Sequence, residues 1–185
     1  MADYFEQTVV QQTIPDADMT ALERLLLSHI FQSEPDGKGW YFFAEESPAT
    51  MIVVSRAELD ATLASSPDVD SAAHIYVVEQ LANIDAEDDE IDLDLSGTSW
   101  EFFLQDIVKR SRTLNYITVI SAFTCSKMRP DGFGGMAVLI TPDAIVGKST
   151  NDLLEDFLFD AGLEGGDATV PDAAIRAAPI RPPSE

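Results

Sequence analysis

EIDLDLSGTSWEFFLQDIVKR, residues 90–110, is the stretch whose reading decides the fold. Its first positions alternate, with Ile91, Leu93 and Leu95 on one side and Asp92 and Asp94 on the other. Successive side chains of a strand point to opposite faces, so this is a strand with one face buried. The period then changes. Trp100, Phe103, Leu104, Ile107 and Val108 recur at i, i+3, i+4, i+7 and i+8, the best helical stripe in the chain. Ser99 is placed to cap that helix, and Lys109, Arg110 and Arg112 gather at its end, where cations suit the helix dipole. A half-buried strand followed by an amphipathic helix points to an α+β fold.

Working toward the C-terminus, Tyr116 to Thr124 reads as a strand, Arg129 to Gly132 as a turn, and Gly135 to Thr141 as the returning strand. Thr141-Pro142 is expected to open a short helical turn. Ser149 or Thr150 caps a helix bearing Leu153, Leu154, Phe157 and Leu158, and Gly162 ends it. From Glu164 onward Gly, Pro and Ala dominate without periodicity, which predicts a disordered tail.

Toward the N-terminus, Ala73, Val77, Val78 and Leu81 share a helical face, although His74 to Val78 also fits a strand. Ser66-Pro67-Asp68 breaks a helix that opens at Ser55-Arg-Ala-Glu58 and runs to Ala64. Met51 to Ser55 and the aromatic run Trp40 to Ala44 read as strands, with Pro35 to Gly39 a turn. Consecutive Trp40, Tyr41, Phe42 and Phe43 put aromatic rings on both faces of that strand, which suits a central strand or an interface. Thr20-Ala-Leu-Glu23 has capping-box spacing ahead of Leu22, Leu25, Leu26 and Ile30, predicting a helix over 19–31. Phe5 to Thr13 is the first strand.

In this order the elements repeat: strand, helix, strand, strand, helix, once before residue 66 and once after residue 90. The expected organisation is two tandem βαββα units packed as one pseudo-symmetric body: 1–66, a helical and acidic linker 67–89, 90–163, and the tail 164–185. Three strands with an apolar face persist only when something covers that face, so two such units would cover their sheets with helices or with each other.

Composition narrows the function. Hydrophobic residues are 45% of 185, too many for wholesale disorder. Acidic residues number 33 against 11 basic, a net charge of −22, which argues against direct binding of nucleic acid or an anionic membrane. One cysteine excludes an internal disulfide and a cysteine-built zinc site, and two histidines exclude a site of several imidazoles. No apolar run has the ~18 residues of a membrane span, and Asp3 and Glu6 do not suit a signal peptide. A cytoplasmic protein without a cofactor is expected.

Several motifs compete for a role. Asp85, Glu87, Asp88, Asp89, Glu90, Asp92 and Asp94 lie within ten residues. As a calcium loop counted from Asp85 they fail, because Glu90 and Ser96 stand where glycine and glutamate are required. Asp92 and Asp94 project from one strand face about 6.5–7 Å apart, close to the phosphate spacing along a DNA strand. Acidic DNA mimics share this composition; solubility or salt adaptation would produce it too. Gly147-Lys-Ser-Thr150 matches the end of a phosphate-binding loop, but Pro142 stands where its first glycine belongs, so a helix start is the better reading. Lys109, Arg110, Arg112, Lys127 and Arg129 would form one anion-binding patch if the hairpin tip folds near the helix end. Glu101, Asp106 and Asp131 are at hand to neutralise them. Lys127 and Arg129 could also activate Cys125 as a nucleophile, although a buried structural cysteine is the commoner case.

The expected function is that of a non-enzymatic acidic interaction protein that engages a basic, nucleic-acid-binding partner through carboxylates 85–94, with DNA mimicry as one form. The alternatives are a small enzyme or ligand-binding domain built on Cys125 and the basic patch, and a structural homodimer that pairs acidic with basic faces.

Overall fold

The deciding stretch folds as its two periods require. In a computed structural model that describes residues 2–65, 69, 71–85, 87–129 and 131–163, Glu90–Asp94 is a strand and Trp100–Arg110 a helix. Numbered along the chain, the strands are β1 Tyr4–Val10, β2 Ile14–Pro15, β3 Gln32–Asp36, β4 Gly39–Ala44, β5 Met51–Ser55, β6 Glu90–Asp94, β7 Ile117–Cys125, β8 Gly134–Ile140 and β9 Ile145–Ser149. The helices are α1 Ala21–Ile30, α2 Arg56–Ser65, α3 Ala72–Leu81, α4 Trp100–Arg110 and α5 Thr150–Asp160. The fold is α+β.

The strands form two antiparallel sheets. In the larger, β3, β4, β1, β7, β8 and β9 lie side by side, and β2 joins β4 beyond the end of β1. The smaller is β5 paired with β6. Among the described residues, the large sheet is covered on one face only. Its inner face carries Val10, Phe42, Ala44, Ile117, Val119, Val138 and Ile140, all buried. These pack with Leu22, Leu26, Leu27 and Ile30 of α1 and Phe103, Leu104, Ile107 and Val108 of α4. Two buried hydroxyls on the same face, Thr8 and Ser121, satisfy each other at 2.8 Å across β1 and β7. Ile52, Val54, Ile91 and Leu93 of the small sheet join this core, as do Leu59 of α2 and Ala73 and Val77 of α3.

Local chemistry explains the helix starts. Thr20 Oγ1 accepts from the Glu23 amide, and the Glu23 carboxylate accepts from the Thr20 amide, so the expected capping box forms. Ser149 and Asp152 make a second box that starts α5. Gly162 ends α5 with φ 69°, the left-handed conformation that glycine adopts without steric cost.

One expectation is not confirmed and two are corrected. The first is the repeat: element order recurs, but pairing does not recur with it. β1 pairs with β7 over its whole length, from Tyr4 opposite Cys125 to Val10 opposite Val119, whereas β6, among the described residues, pairs only with β5. In the large sheet β1–β4 lie on one side and β7–β9 on the other, joined at the β1–β7 pair, while β5 and β6 form a second sheet across the halves, and the duplication is not confirmed. The second is Pro35, expected in a turn and found in strand β3, whose residues QSEPD have no apolar pattern. An edge strand needs no such pattern, and it tolerates a proline because its outer side is unbonded. The third is the helical turn at Thr141. There the chain reverses through Thr141 and Ala144, whose backbone and hydroxyl bonds close a tight turn into β9. The segment 72–81 is helical, which resolves the ambiguity at His74. The break at 66–68 and the tail 164–185 lie outside the described residues.

Candidate interaction surface

The acidic run is one continuous exposed surface. Asp85, Glu87, Asp88 and Asp89 lie on the turn between α3 and β6, and Glu90, Asp92 and Asp94 on the open face of β6; all seven are exposed. The backbone of this turn is fixed by a single cation. Arg56 donates from Nη2 to the Asp85 carbonyl at 2.5 Å and from Nε to the Asp88 carbonyl at 2.7 Å, and its amide donates to the Asp89 carbonyl at 2.9 Å. These bonds go to carbonyls rather than carboxylates; the Asp85 carboxylate accepts from the Glu87 amide at 3.2 Å. Bonds from the Ser96 hydroxyl and amide hold the Asp94 carboxyl below the ordinary carboxylate range, and it stays ionised. Across the pair, Met51 stands opposite Asp94, Val53 opposite Asp92 and Ser55 opposite Glu90. Met51 and Val53 are 59% and 51% exposed, so a row of acids runs beside a row of apolar side chains.

The five basic residues do not come together. Lys109, Arg110 and Arg112 lie at or just past the end of α4, which precedes the start of β7; Lys127 and Arg129 follow its end. β7 has nine residues, so about 27 Å of strand separates the two groups. Two of the five are also committed internally. Lys109 pairs with Asp106 at 2.9 Å, as its neighbours in sequence allow. Arg110 reaches back to α1 and donates to both carboxylate oxygens of Glu23, at 2.7 and 2.5 Å. The Glu23 side chain is fully buried, so Arg110 serves as its counter-ion. The single anion-binding patch is therefore corrected to one exposed arginine, Arg112, at one end and the exposed pair Lys127 and Arg129 at the other.

Cys125 ends β7 on its inner face, buried, with its sulfur accepting from the Lys127 amide at 3.5 Å. A Cβ on Gly132 would come within 2.6 Å of the Cys125 Cβ, so the loop closes tightly over it. This is packing, the structural reading of that residue. Gly147 and Lys148 lie in β9, where Gly147 stands opposite Val138, so no phosphate loop forms.

Two features went unread in the sequence. One is a cleft of 270 Å³ where the two sheets meet, lined by Glu6, Glu101, Trp100, Thr50, Ser96 and Ser99 among others. Burial, with the nearby Glu101 charge, raises the Glu6 pKa. The two glutamates are far apart in sequence, so no spacing could have announced them. The other is the outer face of the large sheet. Phe5, Val9, Tyr41, Phe43, Ile120, Ala122, Ala137, Leu139 and Val146 point away from the helices, and none is buried. Tyr41 and Phe43 stack at 5.4 Å beside an open hollow of 710 Å³ that Phe5 and Val9 also line. The four-aromatic run carried part of this signal: Trp40 and Phe42 face the core, Tyr41 and Phe43 face outward. α5 is a second uncovered feature, with Leu153, Leu154, Phe157, Leu158 and Phe159 all exposed. Comparison of the chain with family models, curated proteins and solved structures finds no match.

Proposed function

We infer that this chain acts by binding rather than by catalysis, as an acidic protein that engages a basic, nucleic-acid-binding protein through residues 85–94. The observation that carries this reading is the exposed carboxylate row, in which Asp94 is bonded to Ser96. Glu90, Asp92 and Asp94 stand exposed on β6, whose backbone β5 holds, while Arg56 fixes the turn that precedes them. A surface ordered before binding loses little freedom on association. Exposed carboxylates, reinforced by the net charge of −22, steer a basic partner from a distance. Met51 and Val53 add apolar contact beside the charge. The row has one strand's worth of carboxylates, and its neighbour is apolar where a full copy of duplex DNA would present a second charged row. The surface thus suits a basic patch with apolar side chains among its cations, and mimicry enters as a single row at phosphate-like spacing.

The test uses two columns, one bearing the wild-type chain and one bearing Glu90→Lys/Asp92→Lys/Asp94→Lys. Nuclease-treated lysate of the native host is passed over both. The expected result is a protein retained by the wild type alone, released at moderate salt, and displaced by duplex DNA. Equal retention on the two columns, or retention that duplex DNA leaves unchanged, overturns the reading.

A further inference from the structure

The bare outer face of the large sheet has a different chemistry from the acidic strand. At its centre stand Val9, Phe43, Ile120, Leu139 and Val146, and the side chains between them are uncharged. Ile120 is 45% exposed and Leu139 41%. An antiparallel sheet in water usually alternates apolar inside with polar outside. Here the inner face and the middle of the outer face are apolar, and among the described residues only the inner face is covered. Six strands about 4.8 Å apart, each about 20 Å long, give a face of about 500 Å² in projection. The apolar side chains fill the middle of that face, with Glu34, Asp36 and Lys148 at its margins. A patch of about 300–600 Å² is the largest that a typical monomer exposes and is often functional, and with side-chain relief the whole face approaches the ~800 Å² per partner of a standard interface.

We propose that this face is the interface of a homodimer, closed by the same face of a second copy to make a two-sheet sandwich. Two sheets packed face to face interdigitate about 10 Å apart, and a flat face of one kind is complementary to itself. The width of the patch is what favours a second sheet, because a single extended segment would cover about one strand of the six. Residues 164–185 carry only Val170, Ile175 and Ile180 as large apolar side chains and no aromatic ring, too little to cover it. Charge at the margins agrees. Glu34 and Asp36 border the face on β3, and Lys148 borders it on β9, where it also pairs with Asp156. Glu45 and Glu46 line the hollow beside Tyr41 and Phe43 as well. A twofold axis along the strands lays β3 of one copy over β9 of the other, so that Lys148 meets Glu34 and Asp36 by exchanging its Asp156 contact for one across the interface.

The dimer has a distinctive salt response. Each copy carries −22, so long-range repulsion opposes association while apolar contact drives it. Salt screens the repulsion and tightens the dimer. The basic partner at residues 85–94 is released by salt, so the two readings fail independently.

The experiment is the solution mass of the full chain by sedimentation equilibrium at low and high salt. It is run up to about 100 μM protein, where micromolar association is nearly complete. The wild type is expected at twice 20.2 kDa, with the dimer favoured by salt. Ile120→Lys and, separately, Leu139→Lys reduce the acidity yet place a charge in the apolar centre, and both are expected at 20.2 kDa with an unchanged far-ultraviolet spectrum. Asp92→Lys/Asp94→Lys is expected to dimerise at least as well as the wild type. A wild type that is monomeric under all conditions, a dimer that salt dissolves, or one that both lysine variants leave intact overturns the proposal.

Discussion

Replacing Glu23 by glutamine tests the contact that joins the two halves of the chain. The Glu23 carboxylate is fully buried. It accepts from the Thr20 amide at 2.9 Å within its own helix and from Arg110 Nη2 at 2.7 and 2.5 Å, across 87 residues of sequence. Glutamine keeps the shape and one acceptor oxygen. It removes the charge and turns an amide donor toward a guanidinium that has only donors. Removing one partner of a buried ion pair costs about 3–5 kcal/mol, because the other charge is left without its counter-ion. Arg110 is 29% exposed on its side chain, so water relieves part of that penalty and the lower end, about 3 kcal/mol, is expected. For a domain of this length each kcal/mol moves the melting temperature by about 2–4 °C, so a fall of about 6–12 °C should follow. The assay is urea denaturation of the wild type, Glu23→Gln, Arg110→Met and the double variant. The double variant should be less destabilised than the sum of the singles, by more than about 1 kcal/mol of coupling. Loss of under 1 kcal/mol in Glu23→Gln, or strict additivity in the cycle, would refute the claim that this pair holds α1 against α4.

Burial and Glu101 raise the Glu6 pKa, so the folded state favours its protonated form and stability falls as pH rises from the ordinary 4.5 through the raised value. Glu6→Gln should therefore unfold at higher urea than the wild type at neutral pH and at the same urea well below pH 4.5; a gain that is equal at both pH values contradicts this. Asp16 accepts from the Trp40 indole and from Arg24, both at 2.9 Å, and these bonds lower its pKa. In a Trp100→Phe background, Trp40 emission should change with a midpoint below the ordinary 3.8, and Asp16→Asn should abolish the transition. Gly39 lies so close to the Ile14 carbonyl that a Cβ there must displace β2. Gly39→Ala should cost about 1–3 kcal/mol, read by urea denaturation, and a neutral outcome would mean that β2 moves freely. α5 has eleven residues and no buried side chain, and a helix that short is marginal alone. Its amides should exchange with deuterium far faster than those of α4; equal protection would show that something covers it.

By itself the sequence determined what neighbouring residues decide among themselves. The Thr20–Glu23 capping box, the stripe on α4, the alternation over 90–94, strand Met51–Ser55, the Ser149 cap and the Gly162 stop all depend on contacts within a few positions. Strand β3 escaped because a polar edge strand buries nothing and leaves no apolar period. The exposure of the carboxylates at 85–94 was also legible, since charge of that density stays in water. Only the tertiary structure decided the rest. The repeat in element order promised two units, but β1 found its longest pairing with β7, more than a hundred residues away. Five basic residues within a short span of sequence were parted by the length of β7, and Arg110 went to a buried glutamate on another helix. The outward apolar face exists because α1 and α4 pack on the same side of one sheet, leaving the other without cover from the described residues. Periods and caps are settled by local geometry. Pairing and coverage are settled by which distant surfaces bury most together, and no short window of sequence contains both of them.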